Sequence, residues 1–239
     1  MNPSLSPRLR PWPALLLAGL LAAGPPTVLY DGALGSPPEA QRLAYADPLG
    51  LASRLTAGGA TTLDTTFDNG VQAGYTLTPT LALTLDRAAG YQLVFAAQLL
   101  TETHASPHRA GFSLIALSSD RLGIELGFWM DQVWAQEGGQ PPQLFTHAEG
   151  AALDASALIT YTLRVQGDRY ALSAGATPVL AGALRDYTAF TGFPDVYETP
   201  NFLFLGDDTS SARGAVRLSY VALGPDWRLF LPGVFKGGP

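Results

Sequence analysis

The sequence contains no cysteine and little charge. Only 14% of its 239 residues are charged, and Lys236 is its single lysine. Without cysteine, the chain can form no disulfide, no thiol nucleophile and no cysteine-ligated zinc site. The formal net charge is −6 and no run of basic residues occurs, so we expect no nucleic-acid partner.

The sequence also lacks an apolar run long enough to span a bilayer, which takes about 20 residues. Its N-terminus instead carries Arg8 and Arg10, an apolar run over residues 14–23, and then Gly24. Basic residues followed by a short apolar run and a small residue are typical of a secretory signal. We therefore predict a signal peptide over residues 1–24. The mature chain is then secreted or displayed at the cell surface, without a transmembrane helix.

After residue 24 the sequence lacks a convincing long helix and any repeat of fixed period. It shows instead short apolar segments of period two, separated by turn residues. This pattern predicts an all-β fold, a two-sheet antiparallel β-sandwich over residues 27–223. An apolar tail over residues 224–239 follows it. The alternation is clearest over residues 159–184, where it predicts a three-stranded antiparallel meander.

Three local predictions concern the N-terminal part of the sandwich. Residues 32–59 are rich in Gly, Pro and Ala, which favours a long surface loop. Asn69-Gly70 predicts a tight hairpin turn, because this dipeptide readily takes positive φ angles. Residues 81–86 predict a strand.

The segment from Leu122 to Gln136 holds two of the four tryptophans and alternates over its first half. The apolar set is Ile124, Leu126 and Phe128, and the other set is Glu125, Gly127 and Trp129. The first set predicts the core side of a strand. The second set would place a carboxylate and an indole on a solvent-facing surface, with a ligand lying in the glycine gap between them.

Three segments carry a resemblance to a known superfamily: residues 161–172, 202–211 and 216–223. Their pattern resembles the C-terminal half of laminin-G-like and pentraxin-like domains, which belong to the concanavalin A-like lectin/glucanase superfamily. Residues 30–35, 124–129 and 145–150 are also similar to exported bacterial proteins of this superfamily. The resemblance implies a jelly roll of two curved antiparallel sheets. It does not decide activity, because the superfamily contains both binders and hydrolases.

A glycosidase needs two carboxylates that flank the scissile bond. In the superfamily that this chain resembles, laminarinase-type members supply both carboxylates from one strand, with the pattern Glu-x-Asp-x-Glu or Glu-x-Asp-x-x-Glu. In this sequence Glu125 is followed at those positions by Gly127, Trp129 and Met130. We therefore predict that the protein is not an enzyme of this type, although an acid from elsewhere, such as Asp131 or Glu149, could replace the missing one.

The candidate ligand-binding residues are Glu125, Trp129, Asp131, Trp134 and His147. Sugar rings stack on exposed indoles, and neighbouring carboxylates accept hydrogen bonds from sugar hydroxyls. The alternative is that the tryptophans pack in the core or at its rim. His147, together with His104 and His108, could also converge on a metal, or the three could be ordinary loop histidines.

Asp207-Asp208-Thr209-Ser210 lies where laminin-G-like domains often keep a loop near calcium, so the resemblance implies Asp207 and Asp208 as possible metal ligands. Carboxylates and hydroxyls suit a hard cation, and a turn capped by aspartate is the alternative. No other cofactor is predicted.

The leading functional prediction is an exported, non-enzymatic β-sandwich that binds carbohydrate or another extracellular surface component. One alternative is a structural or adhesive module that packs on protein partners. The other is a glycoside hydrolase with an atypical pair of carboxylates.

Overall fold

A computed structural model of the protein describes residues 25–225. The predicted signal peptide and residues 226–239 of the predicted tail therefore lie outside the described residues. The described part contains fifteen strands and two short 3-10 helices, Gly32–Leu34 and Pro38–Ala40. In chain order the strands are β1 (Thr27–Asp31), β2 (Leu43–Ala46), β3 (Ser53–Ala57), β4 (Ala60–Asp64), β5 (Ala73–Leu77), β6 (Tyr91–His104), β7 (Ser113–Leu117), β8 (Gly123–Phe128), β9 (Gln132–Gln136), β10 (His147–Ala152), β11 (Ile159–Gln166), β12 (Arg169–Ala174), β13 (Thr177–Ala183), β14 (Leu203–Asp207) and β15 (Ala212–Pro225).

The strands of the described part form two antiparallel sheets. The back sheet has the order β13-β12-β11-β6-β15-β4-β3, and β1 pairs with β15 beside this path. The front sheet has the order β10-β9-β8-β7-β14-β5-β2. Neighbours in the sheets are mostly far apart in the chain, as in a jelly roll. The prediction of an all-β, two-sheet sandwich of the concanavalin A-like type is confirmed.

The core lies between the two sheets and is built from one face of most of the strands. The predicted apolar set of β8, comprising Ile124, Leu126 and Phe128, is fully buried in it. Phe128 meets Phe95 and Tyr161 of the back sheet with ring centroids 6.2 Å and 5.4 Å away. The period-two phase predicted for this segment is therefore correct, because a strand with one face in the core must alternate.

The predicted meander over residues 159–184 is also confirmed. β11 pairs with β12 in unbroken register from Tyr161↔Ala174 to Gln166↔Arg169, and β12 pairs with β13. Gly167 turns the chain between the first two strands with a φ of +61°, a conformation that glycine adopts without steric cost.

Two predictions for the N-terminal part are wrong. Residues 32–59 are not one long loop, because they contain β2 and β3, which form outer strands of the front and back sheets. Residues 81–86 form no strand. There the backbone N–H of Leu85 donates to the side chain of Asn201 rather than to a neighbouring strand.

The turn at Asn69-Gly70 does not close a hairpin. Its flanking strands β4 and β5 belong to different sheets, so the turn carries the chain across the sandwich. The carboxylate of Asp68 accepts a 2.8 Å hydrogen bond from the N–H of Gly70, which stabilises the turn without positive φ at Asn69 or Gly70.

Connections between strands pack on the outer face of the front sheet and shield it from solvent. A second apolar cluster forms there, with Ile115, Leu117 and Phe204 from the sheet and Tyr187 and Tyr197 from the connection between β13 and β14. We call that connection, residues 184–202, the cap. Within residues 25–225, no helix is long and apolar enough to cross a membrane.

Candidate functional site

A cleft of about 560 Å³ opens over the outer face of the front sheet, and we call it the front cleft. Its floor includes Ile115 of β7 and Phe204 of β14, and its walls come from the cap and neighbouring connections. Five of its lining residues are phenylalanines: Phe145, Phe190, Phe193, Phe202 and Phe204. The volume lies within the range of about 300–1,000 Å³ that is usual for small-molecule sites.

Phe204 can lie across the sheet because a glycine faces it. Leu203 and Leu205 point into the core, so Phe204 points outward by alternation. A Cβ added at Gly74, on the neighbouring strand β5, would lie 2.4 Å from the ring of Phe204. The missing side chain at Gly74 therefore makes room for the aromatic floor of the cleft.

Arg109 joins the front cleft to the buried face of the cap. Its Nη2 lies 2.8 Å from Asp208 Oδ2, and its Nη1 lies 3.2 Å from Glu125 Oε1. The guanidinium also sits 4.8 Å from the centroid of the Phe145 ring, within the range of a cation–π contact. The Arg109 carbonyl accepts a 2.9 Å hydrogen bond from Trp129 Nε1. These contacts hold one cation between two carboxyl groups at the polar end of the cleft.

The expectation that Glu125 faces solvent is wrong. Its side chain points outward from the front sheet as predicted, but the cap covers it completely. Tyr197 donates a 2.5 Å hydrogen bond to Glu125 Oε2, and the backbone N–H of Glu125 donates to Tyr187 Oη at 3.1 Å. The pKa of Glu125 is raised to about 8. Burial is the main cause and Asp208 adds to it, whereas Arg109 acts in the opposite direction.

A second carboxyl group, that of Asp208, is held near Glu125 because Arg109 pairs with both, and it raises the pKa of Glu125. Glu125 and Asp208 come from β8 and from the connection between β14 and β15. The side chain of Asp208 also lines the front cleft. The carboxyl group beside Glu125 thus comes from another part of the chain rather than from its own strand.

The carboxyl groups of Asp207 and Asp208 do not fit a calcium ion. Asp207 accepts hydrogen bonds from Thr65 Oγ1 at 2.7 Å and from the N–H of Thr209 at 3.1 Å. Burial raises the pKa of Asp207 well above its usual range, which favours the neutral form. Asp208 is ion paired with Arg109, so a cationic side chain already occupies the position where a metal would act.

The predicted indole platform is a packed stack of rings. We call it the aromatic–imidazole stack, and its members are His104, His108, Trp129, Trp134 and His147. His104 lies parallel to Trp129 at 3.8 Å, and His147 stacks on Trp134 at 4.0 Å. Trp134 is buried, and one ring face of Trp129 is covered by His104. Trp134 therefore has no surface on which a sugar ring could stack.

The glycine gap predicted between Glu125 and Trp129 is filled. A Cβ added at Gly127 would lie 2.6 Å from Cζ2 of Trp134, which stands opposite it on β9. Gly127 therefore makes room for an indole of the protein rather than for a ligand. Asp131 is exposed in the turn between β8 and β9 and does not line the front cleft.

Two of the three histidines, His108 and His147, lie close together. The ring centroids of His108 and His147 are 5.3 Å apart. Burial, followed by the nearby His108 and His104, lowers the pKa of His147 to about 4. Among residues 25–225, however, no group of three or more His, Cys, Asp or Glu side chains could hold a metal ion.

Sequence reasoning missed most of the cleft. Arg109 lies in a polar loop without any motif, and Tyr197 and the cap phenylalanines lie in a segment whose sequence carries no strand pattern. One signal was available: Phe204 is an aromatic residue at an outward position of a strand whose other face is fully apolar. Such a residue needs a cover or a ligand.

Comparison with known proteins identifies the fold. No model of a protein family and no curated protein matches the chain. A conserved carbohydrate esterase from the Shiga toxin-encoding bacteriophage phi24B is similar in structure, with a TM-score of 0.58 and 13% identity over 84% of this chain and 99% of that chain.

Two further structures are similar at about the same level. A protein of unknown function with a galectin-like fold from Bacillus subtilis has a TM-score of 0.51 and 10% identity, covering 85% of this chain and 98% of that chain. The carbohydrate recognition domain of Emp46p, in its potassium-bound form, has a TM-score of 0.50 and 10% identity, covering 82% and 95%. At these identities the likeness shows the fold alone, which is a β-sandwich jelly roll.

Proposed function

We propose that the protein is an exported, non-enzymatic module that binds carbohydrate in the front cleft. The observation that carries this proposal is the cleft itself, which combines aromatic walls with the Arg109–Asp208 pair at one end. Sugar rings have apolar faces that pack on aromatic rings, and their hydroxyls donate to carboxylates. Two of the structurally similar proteins are a carbohydrate esterase and a carbohydrate recognition domain, which supports a ligand of this class.

A glycan array probed with the full chain tests the proposal. We expect binding to a subset of glycans, and we expect it to weaken in Asp208→Asn because the variant removes the charge that faces Arg109. Asp168→Asn is the matched control, since Asp168 is exposed in a turn and does not line the cleft. Binding by no glycan, or equal binding by Asp208→Asn and the wild type, would refute the proposal.

Two further arms of the array test the remaining predictions. Trp129→Ala tests the residues predicted from sequence, because loss of binding in this variant alone would move the ligand to the aromatic–imidazole stack. Repeating the array with calcium and with a chelator tests the predicted metal at Asp207 and Asp208. From the contacts of these two residues, we expect no difference between the two conditions.

Glycoside hydrolysis is the second candidate, and the pairing of Arg109 with the carboxyl groups of both Asp208 and Glu125 favours it. Hydrolysis with retention uses two carboxyl groups about 5–5.5 Å apart, one of them protonated. Glu125 has the raised pKa of such an acid, but its side chain is fully buried and cannot reach a substrate in this conformation. Release of nitrophenol from a panel of nitrophenyl glycosides, abolished in Asp208→Asn, would establish hydrolysis over simple binding.

A further inference from the structure

We infer that the ligand of the front cleft is an uncharged glycoside that carries an apolar aglycone, such as an alkyl or aryl chain. This inference rests on the proposed function and specifies its ligand. It follows from three features of the cleft: the extent of its apolar lining, the exposure of one phenylalanine, and the charge balance of its polar end.

The apolar lining is larger than a sugar ring needs. The rings of Phe202 and Phe204 lie nearly parallel, with an interplanar angle of 8° and centroids 6.3 Å apart. On the opposite side, Phe145 and Phe190 pack edge to face with centroids 5.4 Å apart. Most of the polar lining residues are Arg109 and residues 207–211, and the greater part of the lining surface is apolar. A free oligosaccharide would leave hydroxyls without partners over this apolar surface.

The apolar part of a ligand would pack against Phe193. Its side chain is 92% exposed although it lines the cleft. Other large apolar side chains are exposed as well, but Phe193 is the one among them that lines this cleft in the described part of the chain. Exposed apolar surface at the edge of a concave site is stabilised when a ligand removes it from water.

The charge balance of the polar end favours an uncharged head group. Arg109 is the cation there, and it already contacts the carboxyl groups of Asp208 and Glu125. Because Arg109 and Asp208 already neutralise each other, neither an anionic nor a cationic head group would find an unpaired opposite charge there. Hydroxyl groups can instead donate to Asp208 and bond with Gln72 and Ser210, which also line the cleft.

Calorimetric titration of the full chain with alkyl glycosides below their micelle-forming concentrations tests the inference. The probes are methyl and octyl β-glucoside and the corresponding β-galactosides. We expect the octyl compound of at least one sugar to bind about tenfold more tightly than its methyl compound, since burial of two methylenes would suffice for this ratio.

Phe193→Ala locates the chain within the cleft. Because Phe193 is exposed, the variant should fold normally, and we expect it to lose most of the preference for octyl over methyl. Phe67→Ala is the matched control: Phe67 is 73% exposed and does not line the cleft, so the preference should persist. Asp208→Asn should weaken both compounds equally and leave their ratio unchanged.

The results separate this inference from the proposed function. Equal binding of octyl and methyl glycosides, with glycans still bound in the array, would overturn the inference and leave carbohydrate binding intact. Equal binding of octyl glucoside and an octyl oligoethylene glycol would overturn both, because the sugar would then contribute nothing. Tighter binding of octyl phosphate or octylamine than of octyl glucoside would overturn the argument from charge balance.

Discussion

Tyr197 of the cap donates a 2.5 Å hydrogen bond to Oε2 of Glu125, although the two residues lie 72 positions apart in the chain. Both side chains are buried, and Tyr197 also lines the front cleft. The bond therefore links the cap to the front sheet directly beneath the proposed ligand. We therefore expect that a change which breaks this hydrogen bond will also alter the shape of the cleft.

The stability of the protein should fall as the pH rises from about 6.5 to about 8. The pKa of Glu125 is about 8 in the folded chain and near 4.5 otherwise, so the folded state binds more protons between these values. Titration of Glu125 then lowers the free energy of unfolding as the pH rises, by about 1 kcal/mol per pH unit. Urea unfolding at several pH values measures this slope.

The variant Glu125→Gln tests whether the titration of Glu125 causes this pH dependence. The variant should show a smaller decrease over the same pH range, although buried Asp207 contributes in the same direction in both proteins. The range begins at 6.5 because His147, whose pKa is about 4 when folded, has the opposite effect at lower pH. Parallel curves for the variant and the wild type would show that Glu125 does not titrate as described.

Tyr197→Phe should destabilise the protein by about 1–3 kcal/mol, the usual penalty for leaving a buried polar group without its partner. The variant keeps the ring in the cap and removes only the donor to Glu125. Tyr220→Phe is a suitable control, since Tyr220 is partly exposed. Urea unfolding of both variants at neutral pH measures the difference, and an equal effect of the two substitutions would contradict the role of the bond.

Gly127→Ala should destabilise the protein by about 1–3 kcal/mol, the range for overpacking a buried site. The added Cβ would lie 2.6 Å from Trp134, which cannot retreat because His147 stacks on it at 4.0 Å. Gly70→Ala is the control, since Gly70 is partly exposed and an added Cβ would meet only the side chain of Asp68, at 3.2 Å. Thermal unfolding measures both variants.

The double variant Gly127→Ala/Trp134→Phe checks the cause of this effect. A smaller ring at position 134 removes the close contact, so the two substitutions should be non-additive. A Gly127→Ala protein as stable as the wild type would show that the space above Gly127 is open after all.

Phe128→Ala should cost about 3–5 kcal/mol of stability, as expected for a fully buried aromatic residue truncated in a core. Its ring contacts Phe112, with centroids 5.3 Å apart, in addition to Phe95 and Tyr161. Phe67→Ala should change stability by no more than about 0.5 kcal/mol, because Phe67 is exposed. Chemical unfolding compares the two, and a small effect of Phe128→Ala would place this residue outside the core.

Some properties of the protein follow from the sequence by itself. The alternation of Ile124, Leu126 and Phe128 with Glu125 and Gly127 predicted which side of β8 enters the core. The same rule predicted the meander over residues 159–184. Both predictions depend on neighbours one or two residues apart, because a strand with one buried face must repeat with period two. Enough such segments define a two-sheet sandwich.

The properties of the candidate site were decided by the tertiary structure. The phase of β8 correctly turned Glu125 and Gly127 outward, but no local pattern predicts that the cap covers that face. Trp134 was read as an open platform, whereas histidines from the end of β6 and the start of β10 stack on the indoles. The site also brings Arg109, Asp208 and Tyr197 together with Glu125 from four separate parts of the chain. Burial and pKa depend on which segments pack over a side chain, and that packing is set by long-range contacts rather than by the residues beside it in the sequence.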